Sequence, residues 1–281
     1  ELNSALDGGN IDEVGITLDP SLPLVVRVEN KLGLAKSFLK PMFMYALSKL
    51  YLLRKEIHNN SHNEELNNIS RAVLLVKGDF PVAYDVRKTL ICTGTIEVKL
   101  EIPLTAVIFT LHPKCPSGWQ HRRWCYNYKH KPDSVIINCS EIETEKELCR
   151  EMAEKHPKNY YAWVHRLWLL KHMTHFQVRL EDELTFTLNW LQCHVSDHSA
   201  VNHRIQVLLH IFSSPSALSY VVNGDITESN DMIATVLGIE LKLKLLGRVL
   251  QESEELVQSR PGHESLWALR RSLVEILLQL V

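Results

Sequence analysis

Apolar and polar positions follow helical periods along most of this chain. Segments 37–57, 62–76, 141–155, 179–192 and 230–259 space their apolar residues three and four apart, the period of one helix face. In 141–155 that face carries Ile142, Leu148, Met152 and Ala153 among glutamates and lysines. Trp163, Leu167 and Leu170 fall at i, i+4 and i+7, and Val201, Ile205 and Leu208 repeat the spacing. Ser61–Glu64 and Ser140–Glu143 have capping-box spacing and predict two helix starts. Pro103 predicts a late start or a break, leaving 104–111 as the secure part of that helix. No segment alternates persistently enough to argue for a strand.

A thirteen-residue pattern returns five times between these helices: KGDFPVAYDVRKT (77–89), HPKCPSGWQHRRW (112–124), HPKNYYAWVHRLW (156–168), HVSDHSAVNHRIQ (194–206) and RPGHESLWALRRS (260–272). Each window has a bulky anchor, Tyr84, Trp119, Trp163, Val201 or Trp267, followed three residues later by Arg87, Arg122, Arg166, Arg204 or Arg270. Proline or glycine near the window's start ends one helix, and the anchor opens the next. A tryptophan at one repeated place predicts a core residue whose N–H finds a backbone acceptor. An arginine beside it needs carboxylates or helix-end carbonyls.

The anchors lie 35, 44, 38 and 66 residues apart. A helical pair takes about 34 to 45 residues, so three intervals are single hairpins and the last is too long. A polar insertion near 213–230 and an extended helix 231–259 account for the excess. One hairpin cannot bury its own apolar face, so neighbours must stack. The fold class expected is therefore all-α, a right-handed α-α superhelix of hairpin repeats. Residues 1–60 form an N-terminal segment with a first helix, and 61–281 hold the five repeats.

Composition narrows the function classes. Net charge is −2, from 31 basic and 33 acidic residues, interspersed and without a basic tract, which argues against nucleic acid as partner. Six scattered cysteines without a CxxC pair read as reduced thiols of a cytoplasmic protein. No apolar run is long enough to span a bilayer, and neither a signal-peptide n-region nor h-region opens the chain. The first residue, Glu1, reads as a trimmed start. His112, Cys115, His121 and Cys125 have donor types adequate for tetrahedral zinc. Yet His112 and His121 recur in frame as His156, His165 and His203 without cysteines, so no metal site is expected here.

The third window, with Pro157, Lys158, Asn159, Tyr160, Trp163, His165 and Arg166, resembles the α-subunit repeat of protein prenyltransferases, and the resemblance extends over about residues 65–275. It implies the α-subunit of a heterodimeric protein geranylgeranyltransferase, wrapped around a separate β-subunit of the Rab geranylgeranyltransferase type. That partner would hold the zinc and the geranylgeranyl diphosphate, and a protein substrate would bring the acceptor cysteine, on an already lipidated SNARE-like protein. Such a reaction joins a zinc-bound thiolate to the first isoprenoid carbon while diphosphate departs. Cations and hydrogen-bond donors near the leaving group lower its barrier. By position in the repeats, the resemblance implies that Lys114 touches the diphosphate and that Tyr160 and Tyr161 lie at the same end. Tyr160 could equally pack beneath its turn, and Lys158 reads as a surface residue. Cys115, Pro116 and Ser117 depart from the family's Asn-Tyr-Gln; Ser117, a shorter donor than the glutamine that reads a substrate carboxylate, is still implied by its position to be a substrate- or diphosphate-binding residue with Lys114, Tyr160 and Tyr161. The rival class is a non-catalytic, tetratricopeptide-like scaffold for peptide or protein partners.

Overall fold

The computed structural model describes residues 2–7, 11–59, 61–130, 138–172, 176–223 and 231–280. Two compact units, 1–135 and 136–281, divide the chain between the second and third hairpins.

The first unit opens with α1 (Leu2–Asp7) and a small sheet that the sequence did not lead us to expect. Strands β1 (Glu13–Thr17), β2 (Val25–Val28) and β3 (Lys31–Ala35) lie in the order β1-β3-β2. β1 runs parallel and β2 antiparallel to β3. Only Val14 of β1 is buried, and β3 buries Leu32, Leu34 and Ala35, so neither strand is long enough to display a persistent period of two. Glu29, at a φ of 52°, turns the chain from β2 into β3. The sheet leads directly into α2 (Lys36–Leu53), which packs on α3 (Asn63–Val76). α3 and α4 (Pro81–Cys92) form the first hairpin, and α5 (Glu101–Leu111) and α6 (Pro116–His130) the second.

The second unit carries hairpins α7 (Cys139–Lys155) with α8 (Tyr160–Leu170) and α9 (Phe176–Cys193) with α10 (His198–Ser213). Then follow α11 (Pro215–Asn223), α12 (Asp231–Ser259) and α13 (Glu264–Leu280), the last two forming the fifth hairpin. Trp163, Trp190, Leu208, Leu246 and Leu266 belong to one buried cluster. The described residues thus form an all-α array of hairpins preceded by a three-stranded sheet.

Several local expectations need correction. Each window's helix opens three residues before its anchor, at Pro81, Pro116, Tyr160, His198 and Glu264, so the anchor completes the first turn rather than starting it. Proline suits the first helical position because its missing N–H would have had no intrahelical partner. Asn159 and Asp197 cap by accepting from Ala162 N–H and from Ser199 and Ala200 N–H. The box at Ser140–Glu143 sits two residues upstream: Asn138 accepts from Glu141 N–H and donates to its carboxylate. At Ser61–Glu64 the capping position is His62, with no side-chain cap bond. α5 starts at Glu101, with Pro103 tolerated in its first turn. The expected insertion 213–230 is helical at α11, which buries Ala217, Leu218 and Val221; residues 224–230 lie outside the described ones.

Candidate functional site

The turn before α6 is built from backbone contacts that leave Lys114 pointing outward. Trp119, fully buried and stacked 4.1 Å from Phe109, donates its indole N–H to Pro113 O at 3.0 Å. Cys115 Sγ donates to Gly78 O at 2.9 Å and accepts from Gly118 N–H at 3.2 Å. Burial pushes this thiol's pKa up, so it packs as a neutral group. Gly78 leaves no room for a side chain: a Cβ there would lie 2.5 Å from His112. Lys114 is exposed between these fixed points. Ser117 donates its hydroxyl to Asp79 Oδ1 at 2.6 Å and its N–H to the same oxygen at 3.3 Å. That hydroxyl therefore faces a carboxylate.

The turn before α8 is tighter. Lys158, exposed as expected, adopts a φ of 61°. The fully buried Asn159 then caps the helix. Tyr160 is 54% exposed, so it does not pack beneath the turn. It meets half-buried Tyr161 edge to face at 5.7 Å. Beside this turn, Pro157, Lys158, Cys193, His194, Val195 and Ser196 line a cleft of about 260 Å³. The structure brings Tyr160 together with Tyr161, and Lys114 into one turn with Ser117; the two groups belong to separate compact units.

Each unit carries its own buried ladder of arginine, histidine and carboxylate. Arg87 makes a two-pronged pair with Glu101, at 2.8 and 2.6 Å, and donates to Ser70 Oγ and Asn67 O. Arg122 donates to Ile102 O and Thr105 Oγ1. Arg166 grips Glu183 at 2.5 and 3.0 Å and reaches Lys146 O. Arg204 donates to Leu184 O, Thr187 Oγ1 and Glu252. Arg87, Arg122, Arg166 and Arg204 are buried, each with the carbonyl or carboxylate acceptors expected. Histidines complete both: Nε2 of His121, His165 and His203 lies 2.9, 2.9 and 2.8 Å from Glu101, Glu145 and Glu183. Burial alone would raise the Glu101 pKa, but the charge and hydrogen bonds of Arg87, with His121, bring it down to about 2. The same balance, struck by Arg166 and His203 against burial, holds Glu183 well below the usual carboxylate range.

These carboxylates escaped the sequence reading, although a signal existed: each stands twenty residues before its histidine. Three of the four residues of the zinc alternative take partners in this framework. His112 Nε2 pairs with Leu75 O, Cys115 with Gly78 O and His121 with Glu101. Among the described residues no group of three or more His, Cys, Asp or Glu side chains is arranged to hold a metal. The fifth window departs from the others: Trp267 is 43% exposed, although its indole N–H donates to Pro261 O as Trp119 does to Pro113. Arg270, half-buried as expected, pairs with Glu254 at 2.8 Å.

Comparison with known proteins agrees with this geometry. A family model described as the protein prenyltransferase alpha subunit repeat matches residues 98–129, 142–173 and 180–211. These stretches contain the three His–carboxylate rungs. Protein prenyltransferase alpha subunit repeat-containing protein 1 of Homo sapiens is 33% identical over 94% of this chain and 73% of its own length. Its Xenopus laevis counterpart 1-B is 31% identical over 97% and 70%, and that of Danio rerio 30% over 93% and 67%.

Proposed function

Because the chain belongs to the protein prenyltransferase α-subunit repeat family, we propose that it serves as the non-zinc α-subunit of a heterodimeric protein geranylgeranyltransferase. The β-subunit, of the Rab geranylgeranyltransferase type, supplies the zinc that keeps the acceptor thiol ionised and the pocket for geranylgeranyl diphosphate. The acceptor cysteine belongs to a protein substrate, an already lipidated SNARE-like one in this reading, and the assembly works in the cytoplasm. No described helix is long and apolar enough to cross a membrane. This chain contributes at the leaving-group end. Lys114 sets a cation against the diphosphate charge that accumulates in the reaction, and Tyr160 and Tyr161 present hydroxyls able to donate hydrogen bonds to substrate oxygens. Ser117, bonded to Asp79, shapes the turn.

The observation that supports this reading is the contrast within each turn. Anchors and caps are buried at Trp119, Trp163 and Asn159, whereas Lys114 and Tyr160 are held at the surface on the same rigid frames. The test is co-purification with a β-subunit, followed by transfer of labelled geranylgeranyl to a thiol acceptor. Lys114→Ala is expected to lower kcat by about 10²-fold while leaving complex formation intact. An unchanged rate removes Lys114 from the chemistry. A non-catalytic scaffold is the second reading, favoured by the Asp79 carboxylate 2.6 Å from Ser117, which puts negative charge beside the turn assigned to an anion. A stable complex without transfer would select it.

A further inference from the structure

Helix α2 has two apolar faces, and the fold uses one. Met42, Ala46, Leu50 and Leu53 recur at i, i+4, i+8 and i+11 and are buried on the side that packs on α3. On the opposite side Met44, Tyr45, Tyr51 and Leu52 are 57, 62, 41 and 61% exposed. A surface helix ordinarily turns a polar face to water; here that place is taken by large apolar side chains.

The charges from Lys36 to Lys55 have one sign, and Glu56 follows them. Lys36, Lys40, Arg54 and Lys55 are exposed, and no acidic residue occurs from Lys36 to Lys55. Lys49 is turned aside to Glu65, at 3.6 Å. Arg54 lies over the Tyr51 ring, 4.6 Å from its centroid. An apolar stripe with two tyrosines and cations at both ends is the composition of a helix lying in the interface of a bilayer.

We propose that the outer face of α2 docks on an anionic phospholipid surface, with Met44, Tyr45, Tyr51 and Leu52 sunk among the headgroups and the four cations meeting phosphates or carboxylates around them. A protein partner would need a carboxylate opposite each of four well-separated cations. A leaflet of acidic headgroups presents them at any spacing, and that favours lipid. The helix lies along the surface, since it is not apolar enough to cross it. The docking is independent of whether the chain takes part in prenyl transfer.

Co-sedimentation of the full chain with phosphatidylcholine vesicles containing about 30% phosphatidylserine tests this. The chain should pellet with them, about tenfold less with phosphatidylcholine alone, and about tenfold less when salt rises from 50 to 500 mM. Tyr45→Glu with Leu52→Glu should abolish pelleting, and Lys40→Glu with Lys55→Glu should reduce it about tenfold. All four side chains are exposed, so circular dichroism should show both variants folded. No pelleting of the wild type, equal pelleting without phosphatidylserine, or folded variants that pellet like the wild type would each overturn the assignment. So would protection of position 45 from labelling by a bound protein and not by vesicles.

Discussion

The fourth and fifth hairpins carry the same window and treat it differently. In the fourth, Arg204 is buried and takes Thr187 Oγ1 and Leu184 O, seventeen and twenty residues upstream. At the same offsets from Arg270 stand Ser253 and Leu250, with the Ser253 hydroxyl donating to Leu250 O at 2.7 Å. Arg270 is instead only half-buried, paired with Glu254 and 5.8 Å from the Trp267 ring centroid. The difference lies in what covers the anchor face. α13 and α11 pack on α10, and Arg204 is met by Glu252 of α12. On α13 the equivalent stripe of Trp267, Val274 and Leu278 is exposed. A repeat motif therefore specifies a geometry of donors and anchors, and the adjoining helix decides whether that geometry is buried.

The largest test sets one anchor against another. Trp119→Ala should cost about 3–5 kcal/mol, because a fully buried indole leaves both a cavity and an unstacked Phe109. Trp267→Ala should cost about 1 kcal/mol, its ring being 43% exposed already. Chemical denaturation of both variants measures the two losses side by side. Equal losses would mean that the exposed indole is an anchor after all and that the contrast between hairpins is false.

The legibility of the molecule in its sequence follows the same division. Hairpin spacing, the buried arginines and the need for carbonyl or carboxylate acceptors were readable, because period and chemistry repeat within thirteen residues. Glu101, Glu145 and Glu183 fell outside those windows, in helices where a glutamate ordinarily reads as a solvated face. Only their constant distance from a histidine distinguishes them. The exposure of Trp267 was not readable at all, since its local sequence matches that of buried anchors. The sheet was hidden by brevity: β3 offers Leu32 and Leu34, too few alternations to oppose the helical signal that follows. At the candidate site, Lys114 and the Tyr160–Tyr161 pair could be named from the motif, but the Asp79 carboxylate bound to Ser117 comes from the preceding window and needed the fold.

A second test uses acid to sharpen the ladder. The folded pKa of Glu101 is about 2, against an ordinary 4.5. A depressed carboxylate stabilises the fold fully above its unfolded pKa and ceases to do so as pH falls through the folded one. The contribution should thus be complete above about pH 4.5 and vanish towards about pH 2, amounting to about 3 kcal/mol at roughly 1.4 kcal/mol per unit. The stability gap between wild type and Glu101→Gln should narrow over that window. A gap constant with pH would mean that Arg87 and His121 do not favour the ionised carboxylate.

The smallest effect lies in the pair of Arg270 with Glu254. Glu254→Gln removes the carboxylate that Arg270 holds at 2.8 Å, with side chains 40 and 38% exposed. Water solvates both charges once they part, so the loss should stay within about 0.5 kcal/mol and disappear as salt rises past about 0.5 M. Denaturation midpoints at low and high salt measure it. A salt-independent loss of about 2 kcal/mol or more would show Arg270 to be buried in solution, by a closing of the Trp267 face that returns its guanidinium to Ser253 and Leu250. The fifth hairpin would then equal the fourth in energy as well as in sequence, and the covering helix would no longer explain their difference.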